Sequence, residues 1–221
     1  WLVERNSMSF TQHPHLELGK KSEYQSIYNP DLLFPIQRES KRLEIGVDPK
    51  ALTFHGWDLW THYEVSWLNP KGKPMVAMAH ITYDCHSPCL IESKSLKLYF
   101  NSFNNTKVDS IEALNTIKKN DLSRCVSVDV HVKLLPLSSL QPNLSCTFEG
   151  ESIDDLDVTC DVYEVAPQFL TATSEVVSET LHSDLLKSNC LVTYQPDWGS
   201  VLIQYHGPKI QREGLLQYLV S

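Results

Sequence analysis

A cysteine and an aspartate stand seven residues apart near the end of the chain, in the stretch SNCLVTYQPDWGS. Cys190 can supply a thiolate, a strong nucleophile at neutral pH, and Asp197 can donate a proton if its carboxyl group is partly desolvated. Such a pair suits attack on a weak electrophile. The alternative is a core thiol close to a turn carboxylate, which is the more common arrangement for a single cysteine.

The elements around this pair decide whether the two side chains can meet. Seven residues of unbroken strand would separate Cys190 from Asp197 by about 23 Å and place them on opposite faces. Pro196 cannot donate to a strand ladder, so regular pairing must stop there. The sequence therefore predicts a bend at the Gln-Pro-Asp segment, and only that bend can bring the thiol and the carboxyl group together.

A second polar stretch, ESKSLKLYFNSFN, begins at Glu92 and runs into a predicted helix. Ser93, Lys94, Ser95 and Lys97 lie at its start, where a helix favours phosphate and other anions. A solvated helix face is the alternative. Lysines at a helix N-terminus oppose the helix dipole, however, so their position favours an anion that they help to bind.

The segment CHSPC contains Cys85, His86 and Cys89, which is a partial set of zinc ligands. Zinc takes three or four nitrogen or sulfur ligands, and no second cluster of cysteine and histidine lies nearby in the sequence. We therefore predict no metal site. The sequence also lacks the glycine-rich patterns of Rossmann and P-loop nucleotide sites.

Composition limits the class of protein. The chain has 221 residues, a net charge of −8 and 42% hydrophobic residues, as expected of a soluble globular protein. The negative charge argues against a nucleic-acid partner, and no apolar run approaches the roughly 20 residues of a membrane helix. Six thinly spread cysteines and no secretory leader indicate free thiols in a reducing, cytoplasmic compartment.

Hydrophobic periodicity predicts the elements of the first part of the chain. Residues 1–50 are polar and rich in proline, which predicts an extended lead-in. Two alternating strands around the turn NPKGKP predict a long hairpin. On the first strand, one face is expected to carry Leu59, Thr61, Tyr63, Val65 and Trp67, and the other Trp60, His62, Glu64 and Ser66.

Two helices and two strands are expected to follow. Leu96, Tyr99, Phe100 and Phe103 have helical spacing, and a second helix with Ile111, Leu114 and Ile117 starts behind Asp109-Ser110. The stretches 125–135 and 157–165 alternate as strands, the former with Val126, Val128, Val130, Val132 and Leu134 on one face.

The pattern predicts that the same order then begins again, as a hairpin followed by a helix. The segment 177–194 is ambiguous, since Val177, Leu181 and Leu185 have helical spacing whereas its end is β-branched. A strand at 200–207 and a helix at 212–221 follow, and LLQYLVS faintly repeats LKLYFNS. We predict an α+β tandem repeat whose second copy is incomplete, with about 60 further residues expected by comparison with the first copy.

The stretches ESKSLKLYFNSFN and SNCLVTYQPDWGS together resemble the NADPH-dependent 7-cyano-7-deazaguanine reductases, the nitrile reductases of queuosine biosynthesis. FHGWDLWTHYEVSWLNPKGKP and REGLLQYLVS are similar to the bimodular type, so the resemblance runs from about 18 to 221. It implies a tandem tunnelling fold (T-fold), with antiparallel sheets and paired helices on one face. The first copy would span 51–170 and the incomplete second copy 171–221, with a strand before Cys190.

The resemblance also implies the chemistry. The nitrile would be reduced to a primary amine by two NADPH through a thioimide on the nucleophile Cys190, with Asp197 as the general acid. A His-Glu pair and an Arg-Gly-Gly segment of the family are expected beyond Ser221. The partners implied are the 7-deazaguanine nitrile and a second subunit in a homodimer. The implied substrate contacts are Ile91, Glu92 and Ser93, and the implied cofactor contacts are Ser93, Lys94, Ser95 and Lys97.

Two other functions remain open from the residues alone. A zinc-dependent purine or pterin enzyme of the same superfamily, such as a GTP cyclohydrolase, would need a complete metal set, for which CHSPC is the candidate. A non-catalytic module that binds a purine-like ligand would leave Cys190 inert toward its ligand.

Overall fold

The computed structural model describes residues 25–137, 148–189 and 195–221. The chain divides into two units, Trp1–Pro142 and Asn143–Ser221. The sequence placed this boundary after residue 170, and the structure differs. Residues 148–170 group with the second unit because Ile153 is buried in the second core and its backbone N–H donates to the His182 carbonyl at 3.0 Å.

The first unit combines short strands at its start with a three-stranded antiparallel sheet and two main helices. In chain order its elements are β1 (Pro35–Gln37), α1 (Arg38–Glu44), β2 (Trp57–Leu68), β3 (Pro74–Asp84), β4 (Cys89–Ile91), α2 (Ser93–Asn101), α3 (Ile111–Val126) and β5 (His131–Pro136). The order of strands in the sheet is β2-β3-β5, and β1 pairs separately with β4.

The predicted hairpin of β2 and β3 is confirmed, but the predicted faces of β2 are wrong. The register shifts between His62 and Val65, which is a β-bulge. Before it, Trp60 and His62 are half-buried, and after it Val65 and Trp67 are buried. A bulge adds one residue to one strand and so exchanges its two faces, which a period of two cannot anticipate.

The helices α2 and α3 confirm the two predicted helices. Leu96, Tyr99 and Phe100 of α2 are buried, and the Ser110 hydroxyl accepts the Ala113 N–H at the start of α3. The predicted strand 125–135 begins only at residue 131. Val126 continues the buried face of α3, and Ser127 then ends the helix with a left-handed φ of 59°, because packing overrides the strand preference of valine.

The lead-in is more regular than expected within residues 25–50. A 3₁₀ turn at Pro30–Leu32, strand β1 and helix α1 replace the predicted extended chain. Backbone hydrogen bonds explain this order. Glu92 N–H donates to the Phe34 carbonyl at 2.9 Å and Arg38 N–H to the Pro88 carbonyl at 3.0 Å, so the segment is fixed along β4.

The second unit is a long antiparallel hairpin with a helix packed against it. Its elements are β6 (Glu151–Ser152), β7 (Ala172–Asn189), β8 (Pro196–Ile210) and α4 (Arg212–Val220). The strand before Cys190 and the final helix are therefore confirmed. Leu215, Leu216 and Leu219 of α4 complete a core with Leu181 and Ile153.

The strand predicted at 157–165 is wrong, because this segment has no regular secondary structure. Val158 packs against the second core, and the Thr159 carbonyl accepts the Gln217 side-chain amide at 3.0 Å. The alternating pattern thus reflects packing on α4 and not membership in a sheet. Taken together, the two units are an α+β arrangement with largely antiparallel sheets, as predicted. Within the described ranges, no helix is both long and apolar enough to cross a membrane.

Candidate active site

The start of α2 is organised by Glu92. Its carboxylate caps the helix by accepting the backbone N–H groups of Lys94 at 2.9 Å and Ser95 at 2.6 Å. The side chain is 2% exposed, directly after the buried Ile91 of β4. An acidic N-cap satisfies two unpaired N–H groups and complements the helix dipole. Part of the negative charge expected at this helix start is therefore Glu92 itself.

Ser95 does not line an open surface. It is fully buried, its hydroxyl donates to the Glu92 carbonyl at 2.8 Å, and it accepts the Phe34 N–H at 3.0 Å. The predicted direct contact between Ser95 and a cofactor is therefore at odds with this structure, because both functions of the hydroxyl are used inside the protein. Ser95 instead fixes the helix start against the lead-in.

The other predicted cofactor contacts lie at the surface of the same helix. Ser93 and Lys97 are exposed and Lys94 is half-buried. Ser93 and Lys97 share one helix face, since residues four apart are neighbours. This surface carries two ammonium groups and a hydroxyl donor next to a helix N-terminus. Such donors fit an anionic group such as the phosphates of NADPH.

Asp197 lies at the other predicted site, in the second unit. It is exposed near the start of β8, directly opposite Ser188 of β7. The predicted bend at Gln-Pro-Asp is wrong for Pro196 and Asp197, because both are paired residues of β8. Among the described residues, Asn189 with Pro196 is the last pair toward the turn. Cys190 lies outside the described residues.

Buried charges in the first unit were not predicted. Lys118 of α3 is fully buried, with its ammonium 3.7 Å from the ring centre of Phe103 and 3.8 Å from that of Phe100. Burial lowers the pKa of Lys118 well below its ordinary value. The signal was available in the sequence, since Lys118 stands four residues from both Leu114 and Leu122 on the buried face.

His62 and Asp121 are two further ionisable groups close to Lys118. The His62 ring packs at a tilt against the Phe100 ring, with ring centres 4.1 Å apart. Burial, and after it the charge of Lys118, lowers the pKa of His62 to about 4. Asp121, one turn after Lys118, accepts hydrogen bonds from the hydroxyls of Tyr28 at 2.7 Å and Tyr99 at 2.8 Å. The two hydrogen bonds join Asp121 of α3 to Tyr99 of α2 and to Tyr28 of the lead-in.

Comparison with known proteins identifies the family. Residues 24–134 match the family model described as "Nitrile reductase, 7-cyano-7-deazaguanine-reductase N-term". A protein of Legionella pneumophila (strain Lens) named NADPH-dependent 7-cyano-7-deazaguanine reductase is 58% identical over 206 residues, which are 93% of this chain and 72% of the relative.

Other bacteria have relatives of the same name. The protein of Stenotrophomonas maltophilia (strain R551-3) is 55% identical over 92% of this chain and 74% of its own length. That of Azoarcus sp. (strain BH72) is 52% identical over 92% of this chain and 73% of its own length. The chain belongs to the 7-cyano-7-deazaguanine reductase family of nitrile reductases.

Proposed function

We propose that the protein reduces the nitrile of 7-cyano-7-deazaguanine to a primary amine at the expense of two NADPH, as a step of queuosine biosynthesis. The observation that carries this proposal is the identity of 52–58% to relatives named for this NADPH-dependent reaction, over more than nine-tenths of the chain. It favours nitrile reduction over both a zinc-dependent hydrolase and a non-catalytic module.

Cys190 is the proposed nucleophile and Asp197 the proposed general acid. Asn189 is opposite Pro196 and Ser188 is opposite Asp197, so the chain reverses direction between the strands. Cys190 directly follows Asn189, and successive Cα atoms are only about 3.8 Å apart. The register thus supports a thiol and a carboxyl group at the same end of the hairpin.

The two residues divide the first chemical step. The Cys190 sulfur forms a bond to the nitrile carbon, one C–N π bond breaks, and its electron pair takes the proton of Asp197 to give a thioimide. The carbon–sulfur bond breaks during the reduction, so Cys190 leaves as a thiolate and is ready for another cycle. NADPH, when bound, supplies the two hydrides.

Glu92, with Ile91 and Ser93 beside it, is proposed to bind the substrate. The guanine-like edge of a 7-deazaguanine presents N–H donors, which a carboxylate accepts. Each oxygen of Glu92 already accepts one backbone N–H, and an ionised carboxylate has about four acceptor positions. About two positions remain, so the same group can cap the helix and accept from the substrate.

Ser93, Lys94 and Lys97 are proposed to hold the NADPH phosphates. Their positions at the start of α2 place a hydroxyl and two positive charges around one helix terminus. Charge-assisted hydrogen bonds from lysine to phosphate are among the stronger polar contacts in proteins. Ser95 supports this surface from behind.

The tandem T-fold and the homodimer are also part of the proposal. A hairpin precedes a helix in both units, β2-β3 before α2 and β7-β8 before α4, which supports two related copies.

The cysteines Cys85, Cys89, Cys125 and Cys160 are free, which agrees with a reducing cytoplasmic compartment.

Intact-mass analysis tests the proposed nucleophile. The purified protein, incubated with 7-cyano-7-deazaguanine without NADPH, should gain the mass of one substrate. Cys190→Ala should abolish the adduct, whereas Cys160→Ala, which removes another free cysteine of the second unit, should retain it. An adduct that persists in Cys190→Ala would overturn the assignment.

A further inference from the structure

Three potential metal ligands converge where β3 ends. Asp84, Cys85 and His86 each present a ligand atom, and the three atoms lie within 4.8 Å of one another. Asp84 Oδ1 is 2.8 Å from His86 Nδ1, and Cys85 Sγ is 3.4 Å from the same nitrogen. A backbone hydrogen bond from Ser87 N–H to the Asp84 carbonyl at 3.0 Å closes the turn that holds them.

These distances are close to those around a tetrahedral metal ion. With zinc–sulfur bonds of about 2.3 Å and zinc–nitrogen or zinc–oxygen bonds of about 2.0–2.2 Å, neighbouring ligand atoms are about 3.3–3.6 Å apart. The sulfur–nitrogen distance already lies in this range. The oxygen–nitrogen distance of 2.8 Å needs to open by about 0.5–0.8 Å on the same scale. Both side chains are exposed, and Asp84 Oδ1 also accepts the His86 backbone N–H at 2.7 Å, which keeps the carboxylate beside the imidazole.

A second histidine stands next to this set. The His55 ring stacks on the His86 ring with centres 5.8 Å apart. The Cys85 N–H donates to the Gly56 carbonyl at 3.0 Å, so the segment that carries His55 is fixed beside the turn. A side-chain rotation of the exposed His55 can therefore bring a fourth ligand to the same point.

We propose that Asp84, Cys85, His86 and His55 form a binding site for a zinc-class divalent ion. A thiolate with imidazoles selects zinc over magnesium or calcium, which prefer oxygen ligands. The sequence grouped Cys89 with Cys85 and His86 as a partial ligand set and predicted no metal site. Among the described residues, the ligand atoms that converge are those of Asp84, Cys85 and His86, and the Cys89 thiol is not among them, so Asp84 and His55 take the places that the sequence left unfilled.

The site is structural in character and separate from the proposed reductase chemistry. It stands at the beginning of the short segment that leads through β4 to Glu92. The guanidinium of Arg42 donates to the Cys85 carbonyl at 2.5 Å, which anchors the turn without using the thiol. A bound ion adds a further cross-link between this turn and the segment before β2.

Cobalt titration tests the site, because Co²⁺ bound to a thiolate has an intense charge-transfer absorption. The parent is the full chain with Cys190→Ser, which removes the proposed catalytic thiol as an alternative ligand. Co²⁺ should produce the charge-transfer band, Zn²⁺ should abolish it by displacement, and Zn²⁺ should raise the melting temperature.

Variants distinguish the ligands. Cys85→Ser should eliminate the band and Cys89→Ser should retain it. His86→Gln, at an exposed side chain that can change without loss of the fold, should weaken Co²⁺ binding by at least the roughly 10–100-fold that loss of a supporting second-sphere group costs. His55→Gln should weaken it measurably.

Three results would overturn the proposal: no Co²⁺ band in the parent, a band that survives Cys85→Ser, or unchanged affinity in His86→Gln. Unchanged affinity in His55→Gln would overturn the assignment of the fourth ligand. Circular dichroism of each variant confirms that the fold is retained. None of these outcomes depends on nitrile reduction.

Discussion

Two charged side chains of the first unit are buried under opposite conditions. Glu92 is satisfied by two backbone N–H groups at the start of α2. Lys118, in contrast, has no hydrogen-bond acceptor for its ammonium among the described residues and faces aromatic rings. A satisfied carboxylate supports the fold and keeps capacity for a ligand, whereas a buried ammonium without an acceptor reduces stability.

Lys118→Met should therefore stabilise the protein at pH 7, by roughly 1–4 kcal/mol, because a flexible apolar side chain replaces a buried amine that has no hydrogen-bond acceptor among the described residues. The pKa of Lys118 is lower in the folded state than in the unfolded state. Between this lowered pKa and about 10.4, the unfolded state therefore binds more protons than the folded state. The stability of the parent should increase as the pH rises through this interval. The variant should lack this rise. Chemical denaturation at pH 7 and pH 9.5 measures both effects.

Lys119→Met is the matched control, since Lys119 is the next residue of α3, its side chain is 43% exposed, and it pairs with Asp129. It should change the free energy of unfolding by less than about 0.5–1 kcal/mol at both pH values. Equal effects of the two substitutions would contradict the role assigned to burial.

Asp197→Asn separates acid catalysis from turn formation. Asparagine retains most of the local hydrogen bonding of an aspartate at a turn but cannot donate a carboxyl proton. The variant should melt close to the parent and lose about 10²–10⁴-fold in adduct formation and reduction. Steady-state NADPH oxidation and intact mass measure these losses, and an Asp184→Asn control, at another exposed carboxylate of the second unit, should be active. Retained activity in Asp197→Asn would place the acid elsewhere.

Lys94→Ala tests the cofactor surface. Loss of one charge-assisted hydrogen bond, about 1.5–3 kcal/mol, should raise the KM for NADPH roughly tenfold to a hundredfold and leave the KM for the nitrile nearly unchanged. Lys71→Ala, at an exposed lysine between β2 and β3, is the control. A similar rise in both KM values would indicate a folding defect.

At the scale of elements, the spacing of apolar residues predicted the type of most segments, helix or strand, but predicted less well the residues at which they end. The buried face of α2 follows from Leu96, Tyr99 and Phe100, and the Ser110 cap fixes the start of α3. The sequence could not predict the bulge in β2 or the extension of α3 to Val126, because both are decided by what the residues pack against. The burial of Ser95 was missed for the same reason, since its partner Phe34 is far away in sequence.

Helix caps offer a comparison between structure and function. Glu92→Ala and Ser110→Ala each remove an N-cap, so each should lower the free energy of unfolding by about 0.5–2 kcal/mol. Only Glu92→Ala should also impair nitrile binding, measured as a higher KM for the nitrile. If both variants lose activity in proportion to stability, Glu92 is only a cap.

At the scale of the whole molecule, an exposed apolar strip on the first unit supports the proposed homodimer. Trp57 and Leu59 lie on one face of β2 before the bulge and Tyr63 lies within it; they are 72%, 56% and 70% exposed. Exposed apolar patches often mark protein contacts. From the sequence, this association is implied only by the family resemblance, because the position of the strip depends on which face of β2 the bulge leaves exposed.

Light scattering should find a mass of about 50 kDa, twice the 25.2 kDa of one chain. Leu59→Lys should shift the protein toward the monomer, because the charge would be desolvated in the contact. Ile27→Lys, a control at another exposed apolar side chain, should remain dimeric. A monomeric parent would contradict the proposed dimer.

The bulge in β2 also has a consequence for how the hairpin can fail. A regular two-stranded ladder can slip by whole residues at little cost when its outer face is apolar, since one apolar face then resembles the other. In β2 the inward-facing positions change from even-numbered to odd-numbered residues between His62 and Val65. Any slip therefore misplaces the residues on one side of the bulge even if it accommodates those on the other. The bulge therefore fixes the register in which β2 pairs with β3. With the register fixed, β2 can expose an apolar strip and still keep its pairing.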